Sequence, residues 1–119
     1  MLREMLQGKL HRAAITACRL EYAGSLTVDL DLIERVGLLV HQKIQLLNCN
    51  NGNRLETYLI AGERGKREFI VNGAAARLNY VGDRVIVAAF AIYSDDELKT
   101  YHPKVLVLNE RNEVVDEKS

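Results

Sequence analysis

Asp83-Arg84-Val85-Ile86-Val87-Ala88-Ala89-Phe90-Ala91-Ile92-Tyr93 is the stretch that decides the fold class. It is long and apolar, and it reads as a central strand buried on both faces. Upstream, Glu68-Phe69-Ile70-Val71 is a short strand running into Asn72-Gly73. Earlier still, Lys43-Ile44-Gln45-Leu46-Leu47-Asn48-Cys49 and Arg54-Leu55-Glu56-Thr57-Tyr58-Leu59-Ile60 flank Asn50-Asn51-Gly52-Asn53. Asn and Gly tolerate positive φ, so this is a hairpin signal. Ser25-Leu26-Thr27-Val28-Asp29 is another short strand. In Lys9-Leu10-His11-Arg12-Ala13-Ala14-Ile15-Thr16, strand alternation puts Lys9, His11, Ala13 and Ile15 on one face. Downstream, Lys104-Val105-Leu106-Val107-Leu108 and Glu113-Val114-Val115 form a terminal hairpin, with the polar tail fraying after Val115.

Helix signals are few. Asp29 to Gly37 reads as one short helix, capped by an Asp, acidic early and ended by Gly37. Gly73-Ala74-Ala75-Ala76-Arg77-Leu78 and Ser94-Asp95-Asp96-Glu97-Leu98 each predict about a turn of helix, the second capped by Ser94 or Asp95. Many short strands with few helices predict a small β-barrel.

The chain has 119 residues, one proline and no Pro/Gly/Ser-rich linker, which predicts one domain over 1–119. Its 16 Lys+Arg balance 16 Asp+Glu. Zero net charge argues against a broad electrostatic footprint for nucleic acid or an anionic membrane. No apolar run approaches the ~20 residues of a membrane helix, and the N-terminal segment lacks the pattern of a secretory signal. Cys18 and Cys49 lack metal-ligand spacing and read as reduced thiols of a cytoplasmic protein.

The usual catalytic signatures are missing: there is no GxGxxG, no P-loop and no assignable Ser/His/Asp order. His11, His41 and His102 are dispersed, and nothing local completes a metal site. Two pairs remain. Arg54 and Tyr58, four apart on a strand, share a face; a guanidinium beside a phenol suits carboxylate binding and proton delivery. The plainer alternative is an edge arginine beside a tyrosine packed on a barrel wall. Lys9 and His11 share a face too, and the alternative there is two solvated side chains. The small residues of Asn72-Gly73-Ala74-Ala75-Ala76 let backbone N–H groups approach an anion or a carbonyl oxygen, unless they only turn into a short helix. Gly24-Ser25 alone reads as a turn.

Several motifs occur together: Met5-Leu6-Gln7-Gly8-Lys9-Leu10-His11-Arg12, Tyr22-Ala23-Gly24-Ser25, Asn51-Gly52 followed by Arg54, and Thr57-Tyr58. Gly62-Glu63-Arg64-Gly65, Asn72-Gly73-Ala74-Ala75-Ala76-Arg77, and Gly82-Asp83 before Val85-Ile86 complete the set. In order and spacing over nearly the whole chain, they resemble the bacterial pyruvoyl-dependent aspartate 1-decarboxylases.

The resemblance implies a mainly β fold, a small six-stranded double-psi β-barrel with a few short helices, assembled as a homotetramer with sites between subunits. It implies decarboxylation of L-aspartate to β-alanine and CO2 through a Schiff base, supplying pantothenate and coenzyme A biosynthesis. The implied cofactor is a covalent pyruvoyl group made from Ser25, with no metal and no pyridoxal phosphate. Self-cleavage between Gly24 and Ser25 would leave residues 1–24 and residues 25–119, the latter starting with the pyruvoyl.

By the same resemblance, Tyr58 is the proton donor, and Gly24, Ser25, Thr57 and Asn72 take part in self-processing. Lys9, Arg54, Thr57, Gly73, Ala74 and Ala75 bind substrate, and His11 and Tyr22 line the pocket. The implied partners are L-aspartate, further copies of the chain and, where processing is assisted, a maturation factor; nucleic acid and membrane are not among them. Arg19 departs from the acid that relatives often carry a few residues before the cleavage point, and Lys66 from their common serine.

Thr57 beside Tyr58 poses a problem, because a regular strand points neighbours to opposite faces. A bulge or a strand end would resolve it. A competing reading, a nucleic-acid-binding regulator on a related barrel, would need a basic face, for which Arg64, Lys66 and Arg67 are the candidates. A third is an unprocessed assembly of the same fold.

Overall fold

The computed structural model describes residues 1–119 and is mainly β. In chain order the strands are β1 (Leu2–Ala14), β2 (Ala17–Arg19), β3 (Ser25–Asp29), β4 (Lys43–Asn48), β5 (Arg54–Gly62), β6 (Phe69–Asn72), β7 (Arg84–Ser94), β8 (Lys104–Leu108) and β9 (Val114–Lys118). One short helix, α1 (Leu30–Arg35), follows β3, and 3-10 turns occupy Gly73–Leu78 and Glu97–Thr100.

The strands are hydrogen-bonded in the order β2-β6-β3-β5-β4-β7-β1-β8-β9. This row has nine members, and no ladder closes it. Its ends are nevertheless tied by the chain, because only Ile15 and Thr16 separate β1 from β2. Ile15 N–H donates to the Asp83 carbonyl at 3.0 Å, next to β7, and Thr16 N–H to the Phe69 carbonyl of β6 at 2.9 Å. The strands enclose one apolar cluster that includes Leu10, Leu26, Ile33, Leu46, Leu59, Phe69, Val87 and Leu106. Phe69 is fully buried; such a side chain contributes roughly 1.5–3 kcal/mol.

β7 is central, antiparallel to both β4 and β1. Its first half is buried as expected, but from Phe90 onward it is not: Phe90 and Ile92 are exposed. The apolar cluster takes Val85, Val87 and Ala89 from β7 and nothing beyond, so the far end of the strand runs out past the core, paired with β1 alone. The single face expected for Lys9, His11, Ala13 and Ile15 is also broken. The β1–β7 register shifts between Leu10 and Ala13, and Arg12 has φ 64°, so an extra residue interrupts the alternation. Leu10 and Ala13 are buried while Lys9 and His11 are half-buried. The Arg12 carbonyl at this bulge accepts from Arg84 Nε at 2.8 Å and Nη2 at 2.6 Å.

Most of the local signals elsewhere hold. Asp29 Oδ1 accepts from Asp31 N–H at 2.9 Å, capping α1, and Gly37 follows it at φ 78°. Ser94 and Glu97 exchange two bonds, Glu97 N–H to Ser94 Oγ at 3.1 Å and Ser94 N–H to Glu97 Oε1 at 2.8 Å, but the 3-10 turn begins later than expected, at Glu97, with Asp96 and neither Ser94 nor Asp95 as its N-cap. The terminal hairpin forms as β8 and β9, but it does not fray after Val115: β9 reaches Lys118, which pairs with Val105. Backbone ladder bonds need no apolar side chains, and pairing with β8 holds this polar segment extended.

Candidate active site

Ser25 opens β3, and Asn72 closes β6 directly opposite it in the antiparallel ladder. Both side chains are buried. Asn72 Nδ2 donates to Ser25 Oγ at 3.0 Å and to Thr27 Oγ1 at 2.9 Å. Ser25 Oγ in turn donates to the Ala23 carbonyl at 3.3 Å. Asn72 Oδ1 is buried and accepts nothing, an uncompensated group that a packed core rarely keeps.

Gly24 precedes Ser25 at the end of the exposed turn from β2, and nothing lies within 4 Å of a Cβ built on it. Gly73 is different. Its φ is +72°, and a Cβ there would stand 2.6 Å from Gly24 Cα, 2.7 Å from Gly24 N and 2.9 Å from the Tyr22 carbonyl oxygen. Only glycine lets the backbone after Asn72 lie against the Gly24 segment.

Gly24 and Asn72, but not the buried Ser25, line a cleft of about 370 Å³ together with Thr57, Tyr58, Ala74 and Ala75. Thr57 and Tyr58 both reach it without a bulge, since the β4–β5 register is unbroken from Lys43↔Tyr58 to Leu47↔Arg54. The strand end lies on the neighbour: β3 pairs with β5 only from Leu26↔Leu59 onward. The edge of β5 before Leu59 is therefore uncovered, and a cleft along an open edge is bordered by residues of both faces.

The floor of the cleft is held from behind. Asn79 Nδ2 donates to the Ala75 carbonyl at 2.9 Å, Asn48 Nδ2 donates to Asn79 Oδ1 at 2.9 Å and to Asp83 Oδ2 at 2.8 Å, and Asn79 is buried. This network fixes the 3-10 turn that presents Ala74 and Ala75. Asn48, Asn79 and Thr27 are absent from the residues singled out in the sequence. Thr27 alone had a signal, as the i+2 neighbour of Ser25 on the same strand face.

Lys9, His11, Arg54 and Tyr22 do not line this cleft within one chain. Lys9 lies on β1 between Ala88 and Val105, and Arg54 is exposed at the start of β5. His11 Nδ1 is buried without a partner. Burial first, then the nearby Lys9, Arg12, Arg84 and Lys118 charges, lower its pKa below the ordinary 6.5. Tyr22 is exposed, with the Arg19 guanidinium 5.3 Å from its ring centroid, so the Arg19 charge sits over the turn that carries Gly24.

The proposed basic cluster is largely neutralised. Arg64 binds Asp31 at 2.8 Å and Glu34 at 2.7 Å, and Lys66 lies 3.9 Å from Glu63. The Glu34 and Asp31 carboxylates raise the Arg64 pKa, while the hydrogen bond from Arg64 lowers that of Glu34. No helix is long and apolar enough to cross a membrane.

Fold and cleft together define a small mainly β protein that holds a buried serine directly after a glycine lining a largely apolar cleft. A model of the aspartate decarboxylase family matches residues 1–115. Curated relatives named aspartate 1-decarboxylase are similar over nearly the full length of both chains. The chain is 54% identical over 114 residues to that of Bacillus licheniformis, covering 96% of this chain and 90% of the relative. It is 51% identical over 114 residues to that of Bacillus subtilis strain 168, with the same coverage. It is 50% identical over 111 residues to that of Sulfurimonas denitrificans, covering 93% and 92%. The chain belongs to the aspartate decarboxylase family, and with it to the decarboxylases.

Proposed function

We propose that the chain decarboxylates L-aspartate to β-alanine and CO2, using a pyruvoyl group that it makes by cutting its own Gly24–Ser25 bond. The observation that carries this reading is the buried Ser25 Oγ, held by Asn72 next to Gly24, with Asn72 and Gly24 both lining a cleft shared with Thr57 and Tyr58. Family membership supports the reaction class, and the names of the relatives support the substrate.

Cofactor formation balances with water alone. Ser25 Oγ adds to the Gly24 carbonyl carbon, the peptide C–N bond breaks, and the hydroxyl proton passes to the nitrogen, leaving an ester. Loss of the Ser25 Cα proton with departure of the Gly24 carboxylate gives dehydroalanine. Water then replaces the nitrogen, which leaves as ammonia. The residues in place suit this. Asn72 Nδ2 donates to the attacking oxygen and holds it in place, and the orphaned Asn72 Oδ1 is free to accept a proton-bearing group. Gly73 leaves room for the Gly24 backbone to pass, and Thr57 borders the same cleft.

The pyruvoyl ketone supplies the electron sink that decarboxylation of an amino acid requires and that no side chain provides. The chain's own groups then bind and protonate. Tyr58, 37% exposed at the cleft, delivers a proton as a general acid. Gly73, Ala74 and Ala75 offer backbone close to the substrate. Arg54 and Lys9 suit the two carboxylates of aspartate, one as a planar fork and one as a point charge. Neither lies on the cleft of its own chain, which fits sites shared between subunits of a homotetramer. In this reading the enzyme works in the cytoplasm and supplies pantothenate synthesis.

Intact-mass spectrometry under denaturing conditions tests the proposal. Two species are expected, the larger lighter by one ammonia than a serine-started 25–119 fragment. A serine-started fragment overturns the cofactor, and a single full-length mass in folded protein overturns self-processing.

A further inference from the structure

Thr27 has no place among the residues assigned above, yet its hydroxyl is one of only two groups that fix the direction of the Asn72 amide. The antiparallel register sets Asn72 opposite Ser25, and Thr27 stands one pleat further along on the same face of β3. The two hydrogens of Asn72 Nδ2 are divided between Ser25 Oγ at 3.0 Å and Thr27 Oγ1 at 2.9 Å. The cost of this arrangement is visible in Asn72 Oδ1, which is left buried with no partner.

We infer that Thr27 is a positioning residue for self-cleavage: its Oγ1 locks the Asn72 amide with the NH2 side, not the carbonyl side, facing Ser25 Oγ. This inference rests on the self-processing reading of Ser25. The direction matters because Ser25 Oγ gives up its proton as it bonds to the Gly24 carbonyl carbon. An N–H on that oxygen leaves the hydroxyl proton on the Ala23 carbonyl and fixes the Ser25 rotamer, whereas a carbonyl oxygen in the same place would take that proton and turn the hydroxyl toward Asn72. Without an oxygen at position 27, one Nδ2 hydrogen loses its partner. The amide then gains by turning over to accept the Ser25 hydroxyl proton through Oδ1, which relieves the orphaned oxygen but draws the hydroxyl away from the Ala23 carbonyl and out of its fixed rotamer.

The test is the rate of cleavage of freshly purified full-length chain, followed by intact mass, with thermal melting measured alongside. Thr27→Val keeps the β-branched shape and removes the hydroxyl, and it is expected to cleave about tenfold or more slowly with little change in melting. Thr27→Ala supplies the same deletion should the valine pack badly. Thr27→Ser restores the oxygen and is expected to recover cleavage to within roughly threefold of the parent. Parental rates in both Thr27→Val and Thr27→Ala overturn the inference while leaving self-processing intact. Equal slowing in Thr27→Ser overturns it too, because packing and not the hydroxyl would then be responsible. A folded parent that never cleaves overturns both the inference and the reading beneath it.

Discussion

Asn72 lies directly across the ladder from Ser25, and its side-chain Nδ2 donates to Ser25 Oγ at 3.0 Å. A cross-strand pair at the ends of two strands thus fixes a hydroxyl next to an exposed turn, on a backbone made rigid by its ladder. The turn carries Gly24 against the Gly73 backbone, and the sheet supplies fixed geometry for Ser25.

Ser25→Ala is expected to stop cleavage and leave a single full-length mass. The fold should survive, because Asn72 Nδ2 keeps its bond to Thr27 and the loss of one hydrogen bond costs about 1 kcal/mol. Mass spectrometry and circular dichroism on the same sample check both statements. Pyruvoyl-dependent turnover by this variant would sink the assignment.

Tyr58→Phe is expected to cleave normally but to lose turnover by on the order of 100-fold, the lower range for a general acid. Its hydroxyl is the only group removed, and it takes no part in the Ser25–Asn72–Thr27 network. Parental kcat in the fully cleaved variant would exclude Tyr58 as proton donor.

Gly73→Ala tests the close approach of two backbones. A left-handed conformation alone costs an alanine about 1–2 kcal/mol, and the added Cβ would lie 2.6 Å from Gly24 Cα. Both destabilisation in urea and slowed cleavage are expected. Unchanged stability together with parental cleavage would mean that the two segments do not touch.

Lys9 and the cleft are separated within one chain, which makes complementation between subunits a direct experiment. Lys9→Ala and Ser25→Ala chains, each inactive alone, are expected to recover a measurable fraction of activity when co-expressed. The same cationic contacts should favour aspartate over glutamate by roughly 10- to 200-fold, the usual effect of one methylene. No recovery on mixing would place Lys9 and Ser25 in the same subunit's site or remove Lys9 from it.

His11 gives a pH signature. Its folded pKa lies below 6.5, chiefly through burial and then through the neighbouring cations. The unfolded chain therefore binds more protons than the folded one in the window beneath 6.5, and stability falls as pH drops through it. NMR titration should show the imidazole midpoint below 6.5, and His11→Gln should flatten the loss of melting temperature between pH 7 and the acid side of that midpoint. An unshifted midpoint would refute the burial of Nδ1.

Much of the fold is legible locally. The Asp29 cap, the Ser94–Glu97 bond pair, the glycine turns at Gly37 and Gly52 and the strand at Val85 all follow from nearest-neighbour chemistry. Asn72-Gly73 followed by small residues gave away the close-packed backbone of the cleft, and the motif set pointed to Ser25, Thr57 and Tyr58. The bulge at Arg12 was not legible, because what holds it is Arg84, distant in sequence, with its guanidinium on the Arg12 carbonyl. Nor was the exposed end of β7, which depends on where the common core stops.

The sequence by itself determined most of the extended segments and their turns, and which small residues allow close backbone approach, since these depend on φ/ψ preferences and side-chain period. It did not mark β2, the first half of β1 or the polar end of β9, which are held by their ladder partners. Tertiary structure decided that β3 starts opposite Asn72, that β5 keeps an open edge before Leu59, and that Thr27 shares the Asn72 amide with Ser25. Those facts depend on pairing between strands far apart in the chain. The choice among pairings is made by burying one common core, a quantity that no local stretch of sequence contains.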